Sequence, residues 1–429
     1  MTTRTIKYSY RAYPTASQQK WLAGAFGAVR VVYNDYLYQK EAIHQGTQST
    51  PLVPLDKYKL LPTDKAWLRA YPQKIAEQAR RQADRAYQDF FKGLAGKRKN
   101  RIGKPKYKRK RSGGSLTWNG SGTLKLKRLN RRWMAVRLPK QGSWLKFKLS
   151  RELPSIPTGV TLKLSPSGEY TVSFTVQEQL PEPKIEGPVA GVDVGLIDLV
   201  TVVQDDGTRY KVAAPKHYRR AERKLARLQK DLSRKQKGSK NWEKARLSLA
   251  RQHSVVAAQR LDCNRKIASK LVSENQAVSF EALNLRGLIK TKLGKSFADA
   301  GVGQLVACVE QAAVKRGVRF TKVDPAYTTQ ACCSCGVISG RKPLSQREWV
   351  CDCGLELDRD YNAAVNILLA GGHSERLNDL GGRVRRSQLA GLAMPVEEVT
   401  SYKAHVPRRR RTRAKSQARR AQLKAQALV

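Results

Sequence analysis

The sequence predicts a multidomain α+β protein, and three observations predict this fold class. Apolar and polar residues alternate through most of residues 104–180, which is typical of a β-rich module. Short apolar strands and long helical stretches follow in residues 187–325. Two close pairs of cysteines then interrupt this second region. We therefore expect a β-barrel-like module with an inserted helical domain, followed by an α/β domain with a small cysteine-rich insertion.

The charge of the chain indicates what it binds. Its 83 Lys and Arg exceed its 34 Asp and Glu, which gives a net charge of +49 at pH 7. A polyanion is the natural partner of so basic a protein, so nucleic acid is expected and a small-molecule substrate is not. A membrane surface is the weaker alternative, because the basic helices lack a broad apolar face with Trp or Phe. No apolar run approaches 18 residues, so we expect a soluble protein without a membrane partner.

The N-terminal region predicts one strand and two helices. Thr5–Tyr10 is expected to be the strand, and apolar residues at intervals of three and four predict amphipathic helices over Thr15–Gln39 and Pro72–Phe91. The polar face of the second helix carries Gln78, Arg81 and Gln82. This face is either exposed to solvent without a further role or contacts nucleic acid, and the sequence leaves both interpretations open.

A stretch free of acids follows the second helix. Phe90–Arg151 contains 21 Lys or Arg and no Asp or Glu, whereas ordinary surfaces intersperse both signs. The run KPKYKRKR at Lys104–Arg111 predicts a loop that contacts phosphates. Its candidate contacts are Lys104, Lys106, Lys108 and Arg109. Aromatic residues within the stretch suit either base stacking or the core of a small barrel.

The second region begins with three strands in an antiparallel meander. Val189–Val194 is an apolar strand with one charge, Asp193, between two glycines that permit close approach. Leu199–Val203 and a return through Tyr210 complete the meander. The remaining predicted elements are helices over Lys216–Gln236 and Asn241–Ser273, a strand over Ala277–Phe280 ending in Glu281, a helix over Gly303–Arg316 and a strand over Val318–Val323.

The cysteines predict a zinc ribbon. Five of the seven cysteines fall within 22 residues, which favours metal ligation in a reducing compartment over disulfides. Each pair runs into a glycine, as in the knuckles of a site with four thiolate ligands. The expected ligands are Cys332, Cys335, Cys351 and Cys353. Cys333 offers a competing sulfur, and the second pair is Cys-x-Cys where Cys-x-x-Cys is usual.

Three acids stand at the ends of predicted strands or at a helix start: Asp193, Glu281 and Asp360. Converging carboxylates repel one another unless a divalent cation neutralises them, and carboxylate oxygens suit Mg²⁺ or Mn²⁺. Two such ions can cleave a phosphodiester. Taken alone, Asp360 is better explained as the cap of its helix, and only the rest of the chain favours a catalytic role. The order of strands and helices around these acids is that of an RNase H-like nuclease.

Four segments carry a family resemblance. GVDVGL, SFEALNL, YTTQACCSCG and DRDYNAAVNIL resemble the RuvC motifs and inserted zinc ribbon of TnpB, the transposon-encoded RNA-guided nuclease, and of compact type V CRISPR effectors. The opening YRAYPTASQQKWLAGAFGAVRVVYN, the segment DRAYQDFFKG and the basic KPKYKRK are similar to the same family. The similarity covers nearly everything from Ile6 to Leu369.

The resemblance implies a function and assigns the site. Asp193, Glu281 and Asp360 would be catalytic ligands of Mg²⁺ or Mn²⁺, and Asp358 would not be catalytic. A guide RNA would be held by the basic β-module and the long helices and would pair with double-stranded target DNA, beside a short duplex motif read by Gln78, Arg81 or Gln82. The same four cysteines would bind Zn²⁺, and the protein would work in a prokaryotic cytoplasm or nucleoid.

The resemblance also implies domain boundaries. They are 1–13 and 104–180 for a wedge-like β-barrel module, 14–103 for a helical recognition insertion, 187–325 and 355–372 for the nuclease domain, 326–354 for the zinc ribbon and 373–429 for a disordered basic tail. Two alternatives stay open, namely a guide-dependent DNA-binding repressor that does not cut and a guide-free transposase or resolvase of the same fold. The guide, the duplex motif, the cut pattern and the oligomeric state are not predicted.

Overall fold

The computed structural model describes residues 3–45, 54–98, 102–119, 124–343 and 345–372. The chain divides into two compact units, one of Met1–Glu182 with Tyr218–Ala258 and the other of Pro183–His217 with Gln259–Val429. Within the described ranges, no helix is long and apolar enough to cross a membrane. The predicted basic tail lies outside the described residues.

A seven-stranded antiparallel sheet forms the centre of the first unit. Its strands are β1 (Thr3–Tyr13), β2 (Gly114–Asn119), β3 (Leu126–Asn130), β4 (Trp133–Arg137), β5 (Trp144–Lys148), β6 (Gly159–Leu164) and β7 (Tyr170–Gln179). They pair in the order β2-β6-β7-β1-β5-β4-β3, so the N-terminal strand pairs with strands far away in sequence, as predicted. In the described pairing β2 and β3 are the edges of the sheet.

Two helices pack on this sheet around one hydrophobic core. They are α1 (Ala16–His44) and α2 (Gln73–Leu94), which confirms both predicted helices. Helix α1 begins at Thr15, whose hydroxyl accepts the backbone N–H of Gln18 while the Gln18 side chain accepts that of Thr15. Short 3₁₀ helices cover Tyr58–Leu60, Thr63–Ala70 and Lys110–Ser112.

Two long helices follow the meander in the chain, α3 (His217–Ser233) and α4 (Lys240–Glu274). Both were predicted within a few residues of these bounds. The part Tyr218–Ala258 belongs to the first unit, where the guanidinium of Arg111 lies 4.4 Å from the ring centre of Trp242. The sequence-based boundaries had placed this segment with the second domain.

The second unit has a five-stranded mixed sheet. Its strands are β8 (Val189–Asp193), β9 (Asp198–Gln204), β10 (Arg209–Ala213), β11 (Ala277–Glu281) and β12 (Arg319–Val323). Their order is β10-β9-β8-β11-β12, with the first three antiparallel and the last three parallel. The chain order of strands and helices is the predicted one.

Helices cover this sheet and contribute to its core. They are α5 (Leu285–Ile289), α6 (Gly294–Ala300), α7 (Val302–Arg316) and α8 (Arg359–Ala370). The sequence analysis did not predict α5 and α6. Helix α8 packs across β8 so closely that a Cβ on Gly191 would lie 2.2 Å from the carbonyl oxygen of Ala364. The glycine predicted to permit close approach therefore admits the backbone of α8.

Candidate active site and metal centre

Strand pairing brings two of the predicted acids together. In the parallel pair of β8 and β11, Val192 is opposite Phe280, and Asp193 and Glu281 are the next residues along. The carboxyl ends of parallel strands meet at one edge of a sheet, so these acids become neighbours there. Asp193 is buried, with 9% of its surface exposed, and Glu281 is partly buried.

Helix α8 carries the third acid to the same place. Asp360 is the second residue of α8, and the close contact at Gly191 fixes this helix against β8. Burial first, then the charges of Glu281 and Asp360, raise the pKa of Asp193 to about 8. The charges of Glu281 and Asp360, which come from separate parts of the chain, therefore both act on Asp193.

Burial also raises the pKa of Glu281. A hydrogen bond from the hydroxyl of Thr328 opposes this shift, because it stabilises the ionised carboxylate. Thr328 is itself buried. No feature of the sequence pattern identified this threonine.

The helix cap is Asp358, not Asp360. Oδ1 of Asp358 accepts the backbone N–H groups of Asp360 and Tyr361, each at 2.9 Å. The carboxylate of Asp360 is therefore not used in capping. The open choice between a cap and a site acid is resolved by the neighbouring residue, since Asp358 takes the capping role.

Two cations balance the negative charge around Asp360. The ammonium of Lys211 lies 2.8 Å from Asp358 Oδ2 and 3.8 Å from Asp360 Oδ2, and its side chain is only 10% exposed. Burial lowers the pKa of Lys211, but its hydrogen bond to Asp358 and the two carboxylate charges outweigh this and raise it. Arg347 approaches Asp360 Oδ1 at 3.4 Å. Neither cation was predicted.

The acid cluster fits divalent cations in its chemistry. The charges of Glu281 and Asp360 add to the raised pKa of Asp193, so a cation between the acids would relieve this repulsion, and hard oxygen donors suit Mg²⁺ or Mn²⁺. The carboxylate oxygens of the three acids do not all lie within 4.8 Å of one another. Among the described residues, only four cysteines bring three or more ligand atoms within 4.8 Å of one another.

That compact group consists of Cys332, Cys335, Cys351 and Cys353. The sulfurs of Cys332 and Cys353 are 3.8 Å apart, and those of Cys335 and Cys351 are 3.6 Å apart. An ion with tetrahedral bonds of about 2.3 Å to four sulfurs requires separations of about 3.8 Å. The donor set and its spacing therefore fit Zn²⁺.

The two knuckles have matching backbone geometry. Gly336 N–H donates to the carbonyl of Cys332 at 2.9 Å, and Gly354 N–H donates to that of Cys351 at 2.8 Å. Both glycines have positive φ, 78° and 82°, which an L side chain rarely adopts. The short spacing of the second pair does not prevent its sulfurs from joining the cluster.

Cys333 lies outside the thiol cluster. It is fully buried, and its backbone N–H donates to Oδ1 of Asn362 at 2.9 Å. The thiols within the cluster differ in pKa. The backbone N–H of Val337 lowers the pKa of the Cys335 thiol to about 7, and burial raises that of Cys351 to about 12.

The ribbon that carries these cysteines is attached to α8. Its two strands are β13 (Glu348–Val350) and β14 (Glu356–Asp358), which pair antiparallel, and β14 leads directly into α8. Asn362 donates to the carbonyl of Ala331 at 2.9 Å, and Asn366 donates to the carbonyls of Thr328 and Ala331 at 2.9 and 2.8 Å. The sequence patterns did not reveal these amide contacts.

The residues predicted to contact nucleic acid fall into two groups. Arg81, Lys104, Lys106 and Arg109 are exposed, whereas Gln78, Gln82 and Lys108 are partly buried. The ammonium of Lys108 is 3.2 Å from Gln82 Oε1 and 3.9 Å from the ring centre of Tyr33, and burial lowers its pKa to about 8. Lys104 pairs with Glu41 at 2.5 Å.

The basic loop is anchored to α1. Asn34 accepts the backbone N–H of Lys108 at 2.8 Å and donates to its carbonyl at 3.1 Å. A cavity of about 350 Å³ beside the loop is lined by five basic residues and no acid. Those basic residues are Arg30, Lys106, Lys108, Arg109 and Lys163.

The site and the fold define a class: a mixed α/β protein with a cluster of three acids and a cysteine-based metal centre. Family profiles match three segments of the chain. Residues 170–292 match the OrfB_IS605 family, described as "Probable transposase", residues 303–367 match the "Cas12f1-like, TNB domain", and residues 1–48 match a "Helix-turn-helix domain".

Full-length relatives agree with these matches. A Streptomyces pristinaespiralis protein named "Putative RNA-guided DNA endonuclease" is 33% identical over 94% of this chain and 98% of its own length. An Escherichia coli (strain K12) protein named "Putative RNA-guided DNA endonuclease InsQ" is 27% identical over 86% of this chain and 92% of its own. The chain belongs to the OrfB_IS605 family of TnpB-type proteins, which confirms the resemblance drawn from its motifs.

A solved structure also resembles the chain. It is titled "Cryo-EM structure of the Cas12f1-sgRNA-target DNA complex", with a TM-score of 0.48, 14% sequence identity, and coverage of 85% of this chain and 98% of that chain.

Proposed function

We propose that this protein is an RNA-guided DNA endonuclease, in which a guide RNA pairs with target DNA and the protein cuts the DNA. The proposal is supported by the family and by a relative named for this activity that aligns over 98% of its length. The single structural observation that carries it is the convergence of Asp193, Glu281 and Asp360, where burial first and then the charges of the other two acids raise the pKa of Asp193 to about 8.

Asp193, Glu281 and Asp360 are the residues that would hold Mg²⁺ or Mn²⁺. A pair of ions about 3.5–4 Å apart is the arrangement by which such acids cleave phosphodiesters. Ions bound there supply a nucleophile from water and stabilise the leaving oxygen of a phosphodiester. The cluster then becomes the single active site of an RNase H-like, RuvC-type nuclease.

Basic side chains beside the acids are suited to holding the DNA strand. Arg341, Lys342 and Arg359 line a cavity of about 750 Å³ together with Thr329, Gln330 and Pro343. Arg359 is also adjacent to Asp360 in the chain, and its charge acts on Asp193. Such a cleft attracts a phosphate backbone toward the acids.

The first unit supplies the nucleic-acid contacts of this proposal. Lys106 and Arg109 face a cavity without acids, in a loop that Asn34 fixes, so they are placed to neutralise phosphates of the guide RNA or the target duplex. The exposed Arg81 on α2 is the best placed reader of a target-adjacent motif among the three candidates there.

The remaining expectations belong to the same proposal. The antiparallel sheet forms a barrel-like wedge with β2 and β3 at its edges, the domain boundaries are those given by the sequence except for Tyr218–Ala258, and the four clustered cysteines bind one structural Zn²⁺. The protein acts in a prokaryotic cytoplasm or nucleoid.

The decisive experiment copurifies the protein with RNA transcribed from its native flanking DNA, sequences that RNA, and assays cleavage of matched DNA. The expected RNA is one species with a constant scaffold and a variable 3′ end. Asp193→Ala is expected to abolish cleavage and to leave RNA binding unchanged.

Each other outcome selects a different function. A discrete RNA with DNA binding but no cleavage by the native protein supports a repressor. Heterogeneous RNA that dissociates at raised salt supports a guide-free enzyme. Cleavage by the Asp193→Ala protein overturns the assignment of the acids.

A further inference from the structure

The acid Glu281 is the last residue of β11, where its pairing with Val323 fixes its backbone but leaves the rotamers of its long side chain free to vary. A metal ligand needs a defined orientation, which groups outside the coordination sphere usually provide through hydrogen bonds. One hydroxyl supplies such a bond here. Oγ1 of Thr328 donates to Oε1 of Glu281.

Thr328 is well suited to this role. It is 7% exposed, so water competes little for the hydrogen bond. The other acceptor near its hydroxyl, the carbonyl oxygen of Pro325, is at 3.4 Å and is the weaker contact. A hydroxyl has one proton to donate, and the shorter contact is the one to Glu281.

The backbone of Thr328 is fixed from the opposite side. Asn366 on α8 donates to the carbonyl of Thr328 at 2.9 Å and to that of Ala331 at 2.8 Å. The buried Asn362 adds bonds to Ala331 and to the backbone N–H of Cys333. Helix α8, which carries Asp360, therefore also fixes the backbone of Thr328, whose hydroxyl bonds Glu281.

We propose that Thr328 is a positioning residue for Glu281, and that α8 sets the positions of Asp360 and Glu281 together through Asn366 and Thr328. This inference rests on the proposed function, because it takes Glu281 to be a ligand of the catalytic cation. It adds that the entry segment of the ribbon, only four residues before Cys332, is part of the support of the catalytic site.

The test compares Thr328→Val, which keeps the shape and removes the hydroxyl, with Thr328→Ser, which keeps the hydroxyl. Mn²⁺ affinity of the full-length protein is measured by electron paramagnetic resonance without nucleic acid, and cleavage is assayed separately. Loss of a hydrogen bond to a metal ligand typically costs 10–100-fold in affinity or activity, so Thr328→Val is expected to weaken Mn²⁺ binding about 10-fold. Thr328→Ser is expected to stay near the native value.

Zinc content and the thermal midpoint serve as the controls for folding, and both are expected to be unchanged in the two variants. Native Mn²⁺ affinity in a folded Thr328→Val protein overturns the inference and leaves the proposed function intact. Equal losses in both variants also overturn it, because the effect is then steric. If the native protein itself binds no Mn²⁺, the proposed metal site is wrong, and the role of Thr328 in positioning a metal ligand is overturned with it.

Discussion

Asp358 caps the helix on which Asp360 stands: Oδ1 of Asp358 accepts the backbone N–H of Asp360 at 2.9 Å. Its other oxygen, Oδ2, bonds the buried ammonium of Lys211 at 2.8 Å. Both oxygens of Asp358 are therefore engaged within the protein, whereas the carboxylate of Asp360 has only the longer contacts to Lys211 and Arg347. Two acids two residues apart have separate roles, one structural and one in the candidate site.

This division predicts opposite effects for the two acids. Asp358→Ala removes a cap and the nearer of the two carboxylates beside the buried Lys211, so the free energy of unfolding is expected to fall by about 2–4 kcal/mol in urea titrations. Asp360→Asn is expected to change stability by less than about 1 kcal/mol and to abolish DNA cleavage. Similar stability losses in both variants would contradict the assignment.

The thiol cluster predicts which cysteines retain zinc. Cys332→Ser removes one of four clustered sulfurs and is expected to lower the zinc content from one ion per chain to near zero, measured by mass spectrometry of metals. Cys333→Ala is the matched control, since Cys333 is buried outside the cluster, and it is expected to keep one zinc. Zinc loss in Cys333→Ala with retention in Cys332→Ser would reverse the ligand assignment.

The contact at Gly191 predicts a position that admits no side chain. In Gly191→Ala the new Cβ meets backbone atoms of α8 at 2.2 and 2.6 Å, so this helix must move away from β8. We expect a stability loss of about 3 kcal/mol and loss of cleavage, because Asp360 moves with α8. Gly27→Ala, in the interior of α1 with its nearest contact at 3.8 Å, is expected to stabilise by up to about 1 kcal/mol.

The elements found from the sequence are those with strong periodicity. Helices α1 and α2 place apolar residues at intervals of three and four residues over more than five turns, and β8 is almost wholly apolar. The bounds of each of these elements were therefore predicted within a few residues. Helices α5 and α6 span five and seven residues, too few for a helical period to be distinguished from a loop.

Candidate site residues could be predicted from the sequence where the spacing of residues along the chain indicates their chemistry. Paired cysteines before glycines predict metal ligands by their spacing, whereas the three acids became candidates only when taken together. Thr328 and Lys211 reach the site from 47 and 147 residues away, measured to Glu281 and Asp358. A single sequence taken alone gives no sign of such distant pairs, because they form only once β10 and the ribbon have folded beside the acids.

The loop anchored by Asn34 predicts unequal contributions from its lysines. Lys106 lines the acid-free cavity. In a plot of the logarithm of the RNA-binding constant against the logarithm of the salt concentration, Lys106→Ala is expected to reduce the steepness of the slope by about 1. Lys104→Ala is expected to change it less, because its charge is already paired with Glu41. Filter binding at several salt concentrations measures both slopes. An equal change for the two lysines would show that the cavity has no special role.

Asp193 predicts how the stability of the metal-free protein depends on pH. Its pKa is raised from 3.8 to about 8 on folding, so between these values the folded chain keeps a proton that the unfolded chain has lost. Stability is therefore expected to fall as the pH rises from about 4 to about 8, by up to about 1.4 kcal/mol per pH unit from this group. Chemical denaturation at pH 5, 6, 7 and 8 in the presence of a chelator of divalent cations measures this slope.

Asp193→Asn isolates that contribution, because asparagine fills the same space and does not titrate. The variant is expected to be less sensitive to pH than the native protein, with the largest gain in stability near pH 8, where the native carboxyl ionises in a buried position. Excess Mg²⁺ is expected to reduce the native slope, because a cation between the acids favours their ionised forms and replaces the proton. Parallel pH profiles of the native and Asp193→Asn proteins would show that the carboxyl of Asp193 is not held protonated by its neighbours.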